Sequence, residues 1–264
     1  MNEQEIETYL HKYNYANDLN IVELWAEMDR IWLSLGLDNS KKIESQANIG
    51  KFYSHPVWIL NGLFSAHDSD SMQHRESISN YLLSLPGSLR FRIADIGGGS
   101  GVLANSISSK LGSDALVDII EPYPSEYFLK KNQGNTAIRY IRSGEKQAYD
   151  VVVMQDVLEH VDDPIEMAFK SVELLKSGGY AIFASCFYPV ILCHLPGTFY
   201  LRHTFKHLFN IPGLSYIGHV PGVPHALVFQ KTGEVSLKGL RRRDGCAKCV
   251  GGLLNWLQKI KSKR

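Results

Sequence analysis

Four glycines fall at positions 97, 98, 99 and 101, just after Asp95, in the stretch IADIGGGSG (Ile93–Gly101). Glycine admits positive φ angles and lets a ligand approach the backbone without meeting Cβ atoms. The turn can therefore present amides to a ligand, and spacing narrows which one. A dinucleotide turn needs G-x-G-x-x-G, and read from Gly97 its third small position falls on Val102. No G-K-[ST] follows, which excludes a P-loop here. On these residues alone a merely tight strand-to-helix turn stays open. Three other groups bear on it. Glu121 closes the run ALVDIIEPYP, where a carboxylate can accept from both hydroxyls of a ribose. The run YDVVVMQDVLEHVDDP places Gln155-Asp156 and then His160 at a strand end. The stretch LLKSGGYAIFAS reads as a helix end, a glycine turn and a further strand.

His160 directly follows a strand, so it is either a proton acceptor in the cleft or a histidine that only shapes the pocket. More histidines lie in Cys186–Phe209, where His194, His203 and His207 mix with Tyr188, Tyr200 and Arg202. His203 and His207 are four apart and could share a metal, but this segment holds no carboxylate to complete a site, so no metal is expected. Cys246-x-x-Cys249 lacks a second ligand pair and reads as two ordinary cysteines. The aromatic segment Phe52–Phe64, which carries Tyr53, is either helix-packing core or a lid over a ligand.

These residues need a scaffold. Residues 1–88 read as helical: Leu24, Met28, Ile31 and Trp32 recur at helical spacing with Gly36 beyond, and Ile78, Leu82 and Leu85 follow. Asp70 or Ser71 is the expected cap of that second helix, and Pro86-Gly87 its close. From residue 89, short apolar runs at 91–96, 115–120, 137–141, 151–154 and 180–184 alternate with helical segments at 101–111 and 164–176. Asp162 or Asp163 suits the cap of the latter. Strand–helix–strand units of this length predict an α/β, doubly wound parallel sheet with helices on both faces. Ligands of such sheets bind beyond the carboxyl ends of the strands, where the glycine turn falls. Residues 214–219 and 226–230 read as two more strands joined by Pro221–Pro224.

Composition bounds the setting. The chain has 264 residues, enough for one large domain with an appendage. The polar start MNEQEIETYL is unlike a secretory signal, and no apolar run reaches about 18 residues. Four scattered cysteines fit a reducing, cytoplasmic setting. Nine of the 28 Lys/Arg but one of the 27 acids lie in residues 235–264. That asymmetry predicts a basic C-terminal tail rather than a nucleic-acid-binding body. The tail also carries Leu253, Leu254, Trp256, Leu257 and Ile260, so it could dock on the protein or on an anionic membrane surface.

Together, residues 89–185 resemble a class I S-adenosylmethionine-dependent methyltransferase. Asp95–Gly101 matches that family's first motif, Glu121 its ribose acid, Asp150–His160 its fourth-strand segment, and Leu174–Ala184 its L-L-k-p-G-G motif with Ser177 where proline is common. The resemblance implies a Rossmann-like seven-stranded sheet whose last strand is antiparallel, with an N-terminal helical lid (1–88), a cofactor-binding domain (89–234) and an acceptor-side insertion (about 186–212). It implies that Gly97, Gly98, Gly99 and Gly101 lie along the amino-acid part of S-adenosyl-L-methionine, supported by Asp95, with Glu121 on the ribose. Pro122 and Ser143 would border the adenine, although the RSGEKQ loop is short and lacks the usual acid. Gln155 and Asp156 would line the sulfonium, and His160 would be the base. Tyr53, His194, Tyr200 and His203 are the expected acceptor contacts. The expected acceptor is a small hydroxylated molecule, such as a sugar, surface-glycan precursor or secondary metabolite, and S-adenosyl-L-homocysteine is the product. A non-catalytic cofactor-binding subunit and a nicotinamide oxidoreductase are the alternatives.

Overall fold

The structure, a computed structural model, describes residues 2–86 and 91–261. Gly87, the residues flanking the boundary at 88/89, and Lys263 and Arg264 lie outside the described residues. Five helices come first: α1 (Glu3–Lys12), α2 (Ile21–Ser34), α3 (Ile49–Tyr53), α4 (Val57–Ser65) and α5 (Ser69–Ser84). The stripe seen in α2 is its buried face, and Asn20 caps it by accepting from the amides of Val22 and Glu23. Asp68, not the expected Asp70 or Ser71, caps α5. Its Oδ2 accepts from Ser71 N at 2.9 Å, while Asp70 sits in the first turn, where a carboxylate suits the helix dipole.

The alternating half folds as β1 (Phe91–Ile96), α6 (Val102–Leu111), β2 (Ala115–Ile120), α7 (Glu126–Asn132), β3 (Ile138–Ile141), β4 (Tyr149–Gln155), α8 (Pro164–Glu173) and β5 (Leu175–Ala184). Then come α9 (Leu201–Phe209), β6 (Leu214–Val220), β7 (Val223–Lys231) and α10 (Leu237–Lys261). One seven-stranded sheet runs β3-β2-β1-β4-β5-β7-β6, with β1 to β5 parallel and β7 antiparallel to β5. Strand order reverses between β1 and β4, so a crevice opens beyond their carboxyl ends.

Several local readings shift. Helix α8 stops at Glu173 because Leu175 already pairs with Tyr149; the expected glycine turn is an irregularity inside β5, with Gly178 at φ +82°. Val223 and Pro224 belong to β7, which leaves Pro221-Gly222 as the turn. Asp163 caps α8, whereas Asp162 accepts from the amides of Ile43 and Glu44 and ties the N-terminal helices to the strand-end loops. The segment after β5 holds a regular helix, α9, and the tail is one long helix, α10.

Three apolar clusters hold this together. One face of the sheet packs Phe183 and Phe229 against Phe205 and Phe209 of α9. The other packs Ile93, Val117 and Val153 against Ile78 and Leu82 of α5 and Ile107 of α6. The third lies among the N-terminal helices around Trp32, Phe52 and Leu60, and it includes Ile191, Cys193 and Leu195. The segment after β5 is thereby clamped to the N-terminal helices, which carries both over the crevice. Among the described residues no helix is long and apolar enough to cross a membrane.

Candidate active site

The glycine turn leaves β1 over a buried carboxylate. Asp95 is 1% exposed and its Oδ2 has no hydrogen-bond partner. Burial pushes its pKa to about 7; Arg75 opposes the rise and Glu121 adds to it. A Cβ on Gly98 would stand 2.4 Å from that Oδ2, so this position admits only glycine. Gly97, Gly99 and Gly101 have φ of +72°, +44° and +74°, and a Cβ on Gly101 would meet Asn132 and Tyr140 within 3 Å. Gly99 is the roomy one, with Glu121 Oε2 nearby.

Glu121 lies just past β2. Its Oε2 accepts from Gly99 N at 3.1 Å and its Oε1 from Tyr123 N at 2.9 Å. Burial raises its pKa against those two amides. A carboxylate accepts about four hydrogen bonds, so both oxygens keep a lone pair for a diol. Pro122 and Ser143 are exposed on the loops after β2 and β3. At the end of β4, Gln155 Oε1 is buried without a partner, and Asp156 takes a positive φ of 54° while its amide donates to Ala184 O at 2.7 Å. A non-glycine residue held there is strained, a cost tolerated mainly at sites.

Beyond β4, a short 3₁₀ turn holds Leu158, Glu159 and His160. Glu159 is fully buried: Oε1 accepts from Cys186 N at 2.7 Å and Oε2 has no partner. Burial, with Asp156 nearby, raises its pKa far above the ordinary carboxylate range. His160 Nδ1 lies 3.1 Å from Cys193 O, and His194 Nδ1 lies 2.8 Å from Tyr188 O. A carbonyl only accepts, so in each ring Nδ1 carries the proton and Nε2 keeps its lone pair. The two rings meet edge to face at 4.8 Å. Burial, reinforced by His194, lowers the His160 pKa to about 3, and burial lowers that of His194 too. Glu159, His160 and His194 bring one ligand atom each within 4.8 Å of one another, the geometry of a cation site. His203 and His207, four apart in sequence, line a different cavity, and among the described residues Glu159, His160 and His194 are the group that assembles.

The acceptor contacts separate. Tyr53 and His194 reach this place: Tyr53 OH and Trp58 Nε1 are buried without partners, Trp58 meets His160 edge-on at 6.1 Å, and Tyr53 stacks on Tyr123 at 5.5 Å. Tyr200 does not. It is 7% exposed, and its hydroxyl donates to Asp244 beneath α10, so it anchors that helix. His203 lies near Asn255 and faces a separate cavity of about 270 Å³ between α9 and β7. Arg202, Lys206, His207 and His225 also line it, as does Ser185, and no carboxylate does.

Sequence reading missed Arg75, Trp58, Tyr123 and the role of Glu159. Arg75 on α5 is largely buried, with Asp156, Asp95 and Asp68 as its nearby charges, and burial lowers its pKa. A signal existed: Arg75 continues the buried stripe of Ile78 and Leu82, where a solvated charge has no place. Trp58 falls within the Phe52–Phe64 segment read as core or lid, and Tyr123 carries no such mark.

The orphaned Asp95 and Gln155 oxygens, the backbone cradle and the diol-ready Glu121 fit a cofactor with an amino-acid end and a ribose. Residues 25–214 match the methyltransferase-domain family. Ubiquinone biosynthesis O-methyltransferase of Aliivibrio fischeri is 30% identical over 138 residues, 48% of this chain and 56% of that protein. Its counterpart in Vibrio cholerae O395 is 29% identical over 137 residues, 48% of this chain and 54% of that one. The chain thus spans about half the length of the curated relatives it matches. The fold resembles the CurJ carbon methyltransferase, with a TM-score of 0.59 and 14% identity over 89% of this chain and 72% of that one. It also resembles phosphoethanolamine N-methyltransferase 1 of Haemonchus contortus, solved with phosphoethanolamine and S-adenosylhomocysteine, with a TM-score of 0.53 and 16% identity over 83% of this chain and 57% of that one. The match covers most of the chain, which belongs to the methyltransferase-domain family, with S-adenosyl-L-methionine as its cofactor.

Proposed function

We propose that the chain O-methylates a small hydroxylated acceptor, with residues 1–88 as a lid and about 186–212 as the acceptor side. The relatives named as O-methyltransferases support the choice of oxygen. The observation that carries it is a neutral, Nδ1-anchored His160 that meets Trp58, itself against Tyr53, with Trp58 Nε1 and Tyr53 OH both buried without partners. Buried polar atoms left unpaired are costly, so this set suits a polar guest. The basic cavity beside Ser185 favours an acceptor that also bears an acidic group.

The cofactor supplies an electrophilic methyl on a cationic sulfur. Glu121 and the glycine amides would hold its ribose and amino-acid end, Arg75 would pair with its carboxylate, and Trp58 and Tyr53 would exclude water. His160 Nε2, whose lone pair is free, would accept the acceptor's hydroxyl proton during methyl transfer and release it to solvent. Burial keeps the ring neutral, so Nε2 is available as an acceptor.

The Glu159–His160–His194 group supports a second reading, in which these three residues would hold a divalent cation whose charge would acidify the acceptor hydroxyl. An acceptor panel of catechols and sugars, scored by S-adenosylhomocysteine release before and after chelator dialysis, tests both. Turnover that survives dialysis and drops about 100-fold in His160→Gln supports the base. Turnover lost on dialysis and restored by a divalent cation supports the cation. Near-normal turnover in His160→Gln without metal contradicts the assignment of His160.

A further inference from the structure

Helix α10 has two faces. Toward the body, Asp244 accepts from Tyr200 OH, Gly251 lies so close to Tyr200 that a Cβ would meet its carbonyl oxygen at 2.5 Å, and Asn255 Oδ1 accepts from Arg202 Nε at 2.7 Å. Near its start, Arg241 pairs with Asp163 and Glu166, and Arg243 donates to Asn210 O. The first half is therefore docked. The second half turns a different side to solvent: Val250, Leu253, Leu254, Trp256, Leu257 and Ile260 are 53, 57, 38, 57, 41 and 37% exposed. At about 100° per residue, their arc is centred roughly 160° from the docked face. Exposed Cys246 and Cys249 extend the arc toward the N-terminus.

We propose that this outer face of α10 docks the protein on an anionic lipid bilayer, lying in the headgroup plane. Six large apolar side chains on one stripe form a patch that a protein surface rarely leaves uncovered. Charge decides what covers it. Arg242 and Lys261 fall on or beside the arc, and the lone acid of residues 235–264, Asp244, faces inward, with Lys248 Nζ 2.7 Å away. Two copies meeting on this face would oppose like charges with no acid between them. Anionic headgroups would neutralise them while the acyl boundary takes the apolar stripe. Val250 to Ile260 spans about 15 Å of helix, too short to cross a bilayer and suited to lying along it. The inference is independent of the acceptor and of the catalytic residues.

The test uses the full chain with bound S-adenosylhomocysteine and two vesicle types: phosphatidylcholine alone, and phosphatidylcholine with about one-third phosphatidylglycerol. The protein is expected to float with the anionic vesicles, with blue-shifted emission from Trp256 and quenching by brominated acyl chains. Leu253→Gln/Leu257→Gln is expected to weaken flotation at least tenfold and to leave S-adenosylhomocysteine affinity unchanged. No flotation, equal flotation of the double variant, or emission indifferent to brominated chains overturns the proposal. So does a concentration-dependent dimer that the double variant abolishes in a protein that ignores vesicles, which assigns the face to a second copy.

Discussion

The two walls of the crevice are built differently. The proposed cofactor wall comes from three short stretches at strand ends: the 95–101 turn over Asp95, Glu121 just past β2, and Gln155-Asp156 at the end of β4. The proposed acceptor wall comes from side chains that only tertiary packing brings together: Tyr53 and Trp58 from the N-terminal helices, His160 after β4, and His194 from the segment after β5. Backbone geometry dominates the first and side-chain packing the second. A backbone cradle should therefore fail sharply when a Cβ enters it, while the packed wall should degrade by degrees.

Gly98→Val gives the largest expected effect. Its side chain would enter the space of the Asp95 carboxylate, so S-adenosylhomocysteine affinity should fall by about 100-fold or more. Titration calorimetry, with circular dichroism to confirm folding, checks it, and wild-type affinity in a folded variant would break the contrast. Arg75→Met should weaken the cofactor about tenfold through loss of one charge-assisted contact. An unchanged affinity with altered acceptor KM would move Arg75 to the other wall.

The smallest effect concerns acid stability. His160 in the folded protein has a pKa of about 3, below the ordinary value of about 6.5. The unfolded chain takes up this proton first, so the ring's contribution is present above pH of about 6.5 and is lost as pH falls toward 3. His160→Phe should lose less stability between those limits in urea titrations. A loss equal to wild type would mean that the ring is not held neutral.

The same difference explains what was legible in the sequence. Asp95, the glycines and Glu121 announce themselves because a strand end, a turn and the next strand end fix their places within a few residues. Alternation alone predicted the doubly wound parallel sheet, while seven strands with the last antiparallel came from the family resemblance. Tyr200 reads like any other aromatic beside His203 until Asp244, 44 residues on, takes its hydroxyl. The cation-ready trio was hidden because Glu159 and His194 meet only when the segment after β5 is clamped against the N-terminal helices. Helix α10 was legible as basic and apolar, but not as docked on one side and bare on the other.

The central claim is that Glu121 and the glycine turn hold S-adenosylmethionine rather than another nucleotide. Calorimetry of wild type and Glu121→Ala with S-adenosylhomocysteine and with NAD tests it most directly. The account predicts saturable binding of S-adenosylhomocysteine alone, weakened about 10- to 100-fold in the variant. Tight binding of NAD without S-adenosylhomocysteine, or equal affinities in the two proteins, would contradict it.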